Sequence, residues 1–121
     1  MVDLNKLAKK TLENAILRQK NGAHINCNTY YMLKHCATEV IEAMQAFDDW
    51  QTDLRFRAIS MGVTDPEWTK ITPKDQFASE LADIVCCCLI IAGHTNIDIE
   101  KAVLDCIEKN RKRAEGIGDK E

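Results

Sequence analysis

The stretch 72-TPKDQFASELADIVCCCLIIAG-93 decides the fold. Thr72 is placed to cap a helix, Pro73 suits its first turn, and Asp75 matches the positive end of the helix dipole. The spacing predicts a helix to about Ala92, stopped by Gly93. After Glu80 the segment is apolar nearly all round, the pattern of a central, buried helix. Glu80 and Asp83 stand three residues apart, so they share one helical face. Asp83 heads a run, Ile84 to Ala92, that carries no charge. A carboxylate buried there requires a partner, because an unpaired one costs several kcal/mol or more.

Working outward, the preceding helix spans roughly Tyr30 to Trp50, with Thr29 as its expected cap. Leu33, Cys36, Val40, Met44 and Phe47 form its expected core stripe. Glu39 and Glu42, again three apart, fall on the flank of that stripe, in a row with His35 and Asp49. A first helix is expected over Asp3 to Lys20, with Leu4, Leu7, Ala8, Leu12, Ala15 and Ile16 as its stripe and Asn21-Gly22 as its end. A fourth follows a cap at Thr95 or Asn96, with Ile99, Val103, Cys106, Ile107 and Asn110 on one face. Its basic end, Arg111-Lys112-Arg113, suits the negative helix terminus. Gln51 to Ile71 lacks periodicity and reads as a long loop carrying Phe56 and Trp68. No repeat and no convincing strand is present. The expected architecture is all-α, a four-helix bundle forming a single domain over residues 1–121.

The 121 residues carry a net charge of −3 and are 45% hydrophobic and 29% charged. That balance argues against a general binder of nucleic acid polymers. No uninterrupted apolar stretch reaches the roughly 18–20 residues of a membrane span. The charged N-terminus does not read as a signal peptide. Six cysteines are present, but Cys86, Cys87 and Cys88 are consecutive on a helix and point in three directions. Free thiols and a cytoplasmic setting are the expectation.

Two acidic pairs on two helices, both bordering the core, favour a site for a hard divalent cation, above all Mg²⁺. Each pair has a blander reading, a solvated helix flank for Glu39, Glu42 and Glu80 and a buried ion pair for Asp83. A di-iron bundle requires Glu-x-x-His motifs that neither pair supplies. His24 and Cys27 have near-ligand spacing, but no CxxC pair accompanies them, which disfavours structural zinc. Lys109 and Arg113, one turn apart, either match the helix dipole or hold phosphate. Asn110 either reaches water or hydrogen-bonds into a site. Trp50 and Trp68 are anchors by default and can also stack a base.

The segments Glu39-Val40-Ile41-Glu42, Glu80-Leu81-Ala82-Asp83 and Glu108-Lys109-Asn110-Arg111-Lys112-Arg113 together resemble the MazG-like all-α nucleoside triphosphate pyrophosphohydrolases. Related members include the dCTP pyrophosphatases, the dimeric dUTPases and phosphoribosyl-ATP pyrophosphatase. The resemblance covers roughly Thr29 to Arg113. It implies that Glu39, Glu42, Glu80 and Asp83 are metal ligands and catalytic residues, binding Mg²⁺ with Mn²⁺ as a substitute. It implies a nucleoside triphosphate substrate, cleaved at the α–β junction to a monophosphate and pyrophosphate, in nucleotide-pool house-cleaning. Asn110 and Arg113 match last-helix positions that face substrate, and Lys109 and Trp50 join them as substrate-binding candidates. A homodimer or homotetramer is implied as well. Thr38 stands where many relatives have Glu, Cys106 where many have Lys, and the interval between the acidic pairs is long. Those departures leave a second expectation, a non-catalytic helical interaction module on the same fold.

Overall fold

The computed structural model describes residues 2–23, 26–52 and 72–116. These residues form four helices: α1 (Leu4–Lys20), α2 (Thr29–Thr52), α3 (Pro73–Thr95) and α4 (Ile99–Ala114). No strand occurs among the described residues, so the fold is all-α. Phe56, Trp68, His24 and the expected loop from residue 53 to 71 lie outside the described residues. The chain divides into two compact units, one of Met1–Thr29 with Leu89–Glu121, the other Tyr30–Cys88.

In the first unit the start of α1 is tied to the start of α4. Asp3 caps α1, its carboxylate accepting from the backbone N–H groups of Asn5 and Lys6. Asn5 then bridges the two helices. Its Nδ2 donates to Asp98 Oδ1 at 2.9 Å, and its Oδ1 accepts from the Glu100 N–H at 3.3 Å. Glu100 Oε1 in turn accepts from the Leu4 N–H at 3.3 Å. Four helix-end N–H groups that lack intrahelical acceptors are thereby satisfied by side chains. Asp98, not Thr95 or Asn96, caps α4, accepting from the Lys101 N–H. Asn96 instead adopts a left-handed φ of 55°, which makes the turn out of α3.

Gly93 does not stop α3, which continues to Thr95. Its role is close approach. A Cβ at this position would lie 2.9 Å from the Ala8 carbonyl oxygen and 3.1 Å from Leu12 Cβ. Ala8, Leu89 and Ala92 form the local core, with Ile99 packed on it. Small residues on both helices allow that contact. The end of α1 is as expected, with Asn21 as cap and Gly22 at a φ of 89°. Thr29 is the first helical residue of α2, not its cap, and its hydroxyl pairs with His94 Nδ1 at 3.1 Å.

In the second unit α2 and α3 run antiparallel. Cys36 lies beside Cys87 and Cys88, Glu39 beside Asp83, and Phe47 beside Phe77. The order of partners reverses along the two helices. Thr72 caps α3 as expected, its Oγ1 accepting from the Asp75 N–H at 3.0 Å.

The stripe expected on α2 is rotated. Met32, Glu39, Ala43 and Ala46 are buried, whereas Leu33, Val40, Met44 and Phe47 are exposed. Both sets recur at steps of three and four, so periodicity alone ranks the bulkier set first. Nor is α3 buried all round: Leu81, Val85, Cys86 and Cys88 are exposed. An 18-residue stretch of α3 averages 1.6 in hydropathy and is 22% buried, so by length and composition the helix could cross a membrane. That corrects the expectation drawn from uninterrupted apolar runs, because an average tolerates Glu80 and Asp83. A carboxylate near mid-helix costs roughly 2.5–3.5 kcal/mol in a bilayer, and two of them oppose insertion. All six cysteines are free, as expected.

Replacing Gly93 by Ala tests the α1–α3 contact. At an ordinary helix-interior position this change stabilises by up to ~1 kcal/mol. Here the added methyl meets backbone, so we expect a loss of about 1–3 kcal/mol, read as a lower melting temperature.

Candidate metal centre

Glu39 and Glu42 come from the middle of α2, Glu80 and Asp83 from the facing turns of α3. One carboxylate oxygen each from Glu39, Glu80 and Asp83 lies within 4.8 Å of the other two. The cluster is graded in burial: Glu39 is 8% exposed, Glu80 is half-buried and Asp83 is open to solvent. The expectation that Asp83 is the buried carboxylate is therefore corrected. At its level α3 turns Asp83 outward, and the rotated stripe of α2 turns Glu39 inward.

The fixed partners leave two acceptors over. His35, stacked on Tyr31 with ring centroids 6.2 Å apart, places Nε2 at 3.0 Å from Glu39 Oε1. Gln76 Nε2 donates to Glu80 Oε1 at 3.1 Å. The second oxygens, Glu39 Oε2 and Glu80 Oε2, are buried without a donor. Glu42 stands within hydrogen-bond reach of Glu39, but two carboxylates bond only when one is protonated. Burial holds the Glu39 carboxyl above its ordinary range. The nearby Glu42 and Asp83 push it further the same way, and His35 opposes them. Beside it, burial is the chief reason the Cys87 thiol is pushed up to about 12. Cys87 is thus a neutral wall and not a thiolate ligand. Hard oxygen donors, two of them buried and unsatisfied, suit a divalent cation of the Mg²⁺ class.

The other expected site residues fall elsewhere. Trp50 is half-buried in an aromatic trio, 6.0 Å from both Phe47 and Phe77. Lys109, Asn110 and Arg113 stand on the last turns of α4, in the first unit. Lys109 and Asn110 are exposed, and Asn110 Nδ2 reaches Cys106 Sγ at 3.8 Å. Arg111 is engaged on both sides, by Glu108 at 2.7 Å and Glu115 at 2.8 Å. A cleft of about 320 Å³ belongs to the first unit, and its lining, with Asn5, Lys9 and Asn96, contains none of the expected site residues. Gln76 was not anticipated as a site residue, although its position one turn before Glu80 is a readable signal.

No family model, no curated protein and no solved structure matches the chain. The acidic cluster therefore stands on its own geometry.

Its charge state predicts a pH dependence. A carboxyl raised on folding takes up protons in the folded state. It favours folding in acid, and that contribution is lost as pH climbs above the ordinary value of 4.5. We expect the metal-free protein, held in chelator, to lose melting temperature as pH rises from about 4.5 toward neutrality. Glu39→Gln removes the titrating charge, so its melting temperature over that interval should fall less steeply than that of the unsubstituted protein.

Proposed function

We propose that this protein is a Mg²⁺-dependent nucleoside triphosphate pyrophosphohydrolase, cleaving its substrate to a nucleoside monophosphate and pyrophosphate. The observation that carries the reading is the pair of buried, donorless oxygens, Glu39 Oε2 and Glu80 Oε2, in a cluster completed by Asp83. Cations are the natural complement of such atoms, and metal binding would keep the crowded carboxylates ionised. The order of acidic pairs and the basic close of α4 supply the rest, through the resemblance to the MazG-like enzymes.

The roles follow from placement. Glu39, Glu80 and Asp83 hold the cation, and Glu42 adds negative charge beside Glu39. His35 and Gln76 fix the first oxygens of Glu39 and Glu80, so the second oxygens are aimed without further ordering. A bound Mg²⁺ supplies charge neutralisation for the phosphates and a water of lowered pKa. Asp83, being solvent-exposed, is the ligand a phosphate-bearing substrate meets first. On α4, Lys109, Asn110 and Arg113 remain the candidates for phosphate contact, and Trp50 for contact with the base. The substrate is a free nucleotide handled in the cytoplasm, not a polymer. The exposed apolar residues of α2 and α3 favour a second reading, a helical interaction module with no turnover.

Two measurements separate these readings. Calorimetric titration with Mg²⁺ or Mn²⁺ should give heat and a rise in melting temperature at millimolar metal. A panel of nucleoside triphosphates should then yield pyrophosphate in a strictly metal-dependent manner. Asp83→Asn, an exposed and isosteric change, should leave the fold intact and reduce turnover by about 10²-fold or more, in line with other losses of a single transition-state contact. Unchanged turnover in that variant would sink the mechanism, and the absence of metal binding would favour the interaction module.

A further inference from the structure

The cleft of the first unit is assembled from three places in the sequence. Asn5 and Lys9 come from α1, Ala92 from the last turns of α3, and Asn96 and Asp98 from the turn into α4. At about 320 Å³ it lies at the small end of the usual range for ligand sites, roughly 300–1,000 Å³. The buried Ala8 and Ala92 line its base, and Ile97, an apolar side chain left 51% exposed, lines its rim.

Two opposite charges line this cleft without answering each other. Asp98 uses one oxygen, Oδ1, for two donors, Asn5 Nδ2 at 2.9 Å and the Lys101 N–H at 3.0 Å. The Asn5 bond first, and then the Lys101 one, hold its carboxyl below the usual carboxylate range, so it is ionised at neutral pH. Its other oxygen, Oδ2, meets no donor among the described residues, and the neighbouring Lys101 ammonium is engaged by Asp105 at 2.7 Å. Lys9 stands one turn beyond Asn5 on α1, offset by about 6 Å along the helix from the residue that holds Asp98. Among the described residues its ammonium has no hydrogen bond or ion pair, and the Asn96 side-chain amide is uncommitted as well. An anion alone would face the Asp98 carboxylate, and a cation alone the Lys9 ammonium. A molecule carrying both charges answers both, and an apolar substituent on it covers Ile97. We infer that this cleft binds a small zwitterion, an apolar α-amino acid, with its ammonium on Asp98 Oδ2, its carboxylate on Lys9 and Asn96, and its side chain against Ile97.

Titration of the whole chain with L-valine, followed through amide NMR shifts in the absence of metal and nucleotide, tests this. Saturable shifts at Lys9, Gly93 and Ile97 are expected at millimolar ligand. Isovalerate keeps only the negative charge of L-valine and isobutylamine only the positive one, and each should bind at least roughly tenfold more weakly. Lys9→Met should weaken L-valine by a similar factor and leave isobutylamine unchanged. Asp98→Asn, which still caps α4, should weaken L-valine and leave isovalerate unchanged. The amide spectrum of each variant reports whether it is folded. L-valine that shifts none of these amides overturns the inference, as does binding that survives both substitutions. Isovalerate binding as tightly as L-valine makes the cleft a plain anion site and overturns it too. None of these readouts involves the acidic cluster, so the cleft and the proposed activity stand or fall separately.

Discussion

The burial of Glu39 governs the rest of the second unit, because it sets a carboxylate on a helix face otherwise made of apolar groups. Met32, Ala43 and Ala46 are the other buried residues of that face of α2. Glu39 occupies the turn between them and is buried with the rest. Apolar packing of this kind stabilises by roughly 25 cal/mol per Å² covered, whereas a carboxylate in the same place opposes it. The opposing term is softened on one side only. His35 answers one oxygen, Gln76 does the same for Glu80, and the remaining oxygens are buried without a donor. Burial first, and then the neighbouring Glu42 and Asp83 carboxylates, hold the Glu39 carboxyl above its ordinary range. A protein with no use for the arrangement is stabilised by Gln or Ala at position 39. Retaining Glu there is costly unless a cation completes it.

The same burial explains what is left outside. By burying its small-residue face, α2 turns its bulkier apolar residues to solvent. Leu33, Ile41 and Met44 are more than half exposed, a large amount of apolar surface for one helix. On α3, Leu81 and Val85 are similarly uncovered. Among the described residues few side chains are fully buried, and Met32 is the large one among them.

Much of the secondary structure was legible because its signals are local. Thr72-Pro73 fixes the start of α3, and Asn21-Gly22 the end of α1, through hydrogen bonds within a few residues. Three of the four acidic positions that the spacing singles out, Glu39, Glu80 and Asp83, come together, whereas Glu42 is exposed and outside that cluster. The rest depends on tertiary choice. Residues 32, 39, 43 and 46 and residues 33, 40, 44 and 47 are equally good seams by period, and nothing in one helix says which meets α3. Reading the larger residues as core put Asp83 inside and Glu39 outside, the reverse of the structure. Gly93 looked like a terminator because glycine often ends helices, yet its real constraint is the Ala8 carbonyl, far away in sequence. Asp98 caps α4 in place of its neighbours because Asn5, on another helix, also bonds it.

The gradient of burial across the acidic cluster bears on which chemistry the site suits. A fully buried tetrad of carboxylates binds a cation as a structural element and shuts out a substrate. A fully exposed one leaves the ion to water, since Mg²⁺ gives up its hydration reluctantly. Here one ligand is buried, one is half-buried and one faces solvent. The inner pair has its orientation fixed by His35 and Gln76, so it loses little freedom on binding. The outer residue leaves coordination positions facing water, where phosphate oxygens could enter. Structural metal sites are typically closed, whereas catalytic ones keep an open position. On that distinction, the exposure of Asp83 suits the proposed turnover better than it suits a structural ion. The fixed inner oxygens, in turn, suit the proposed cation better than a solvated helix flank.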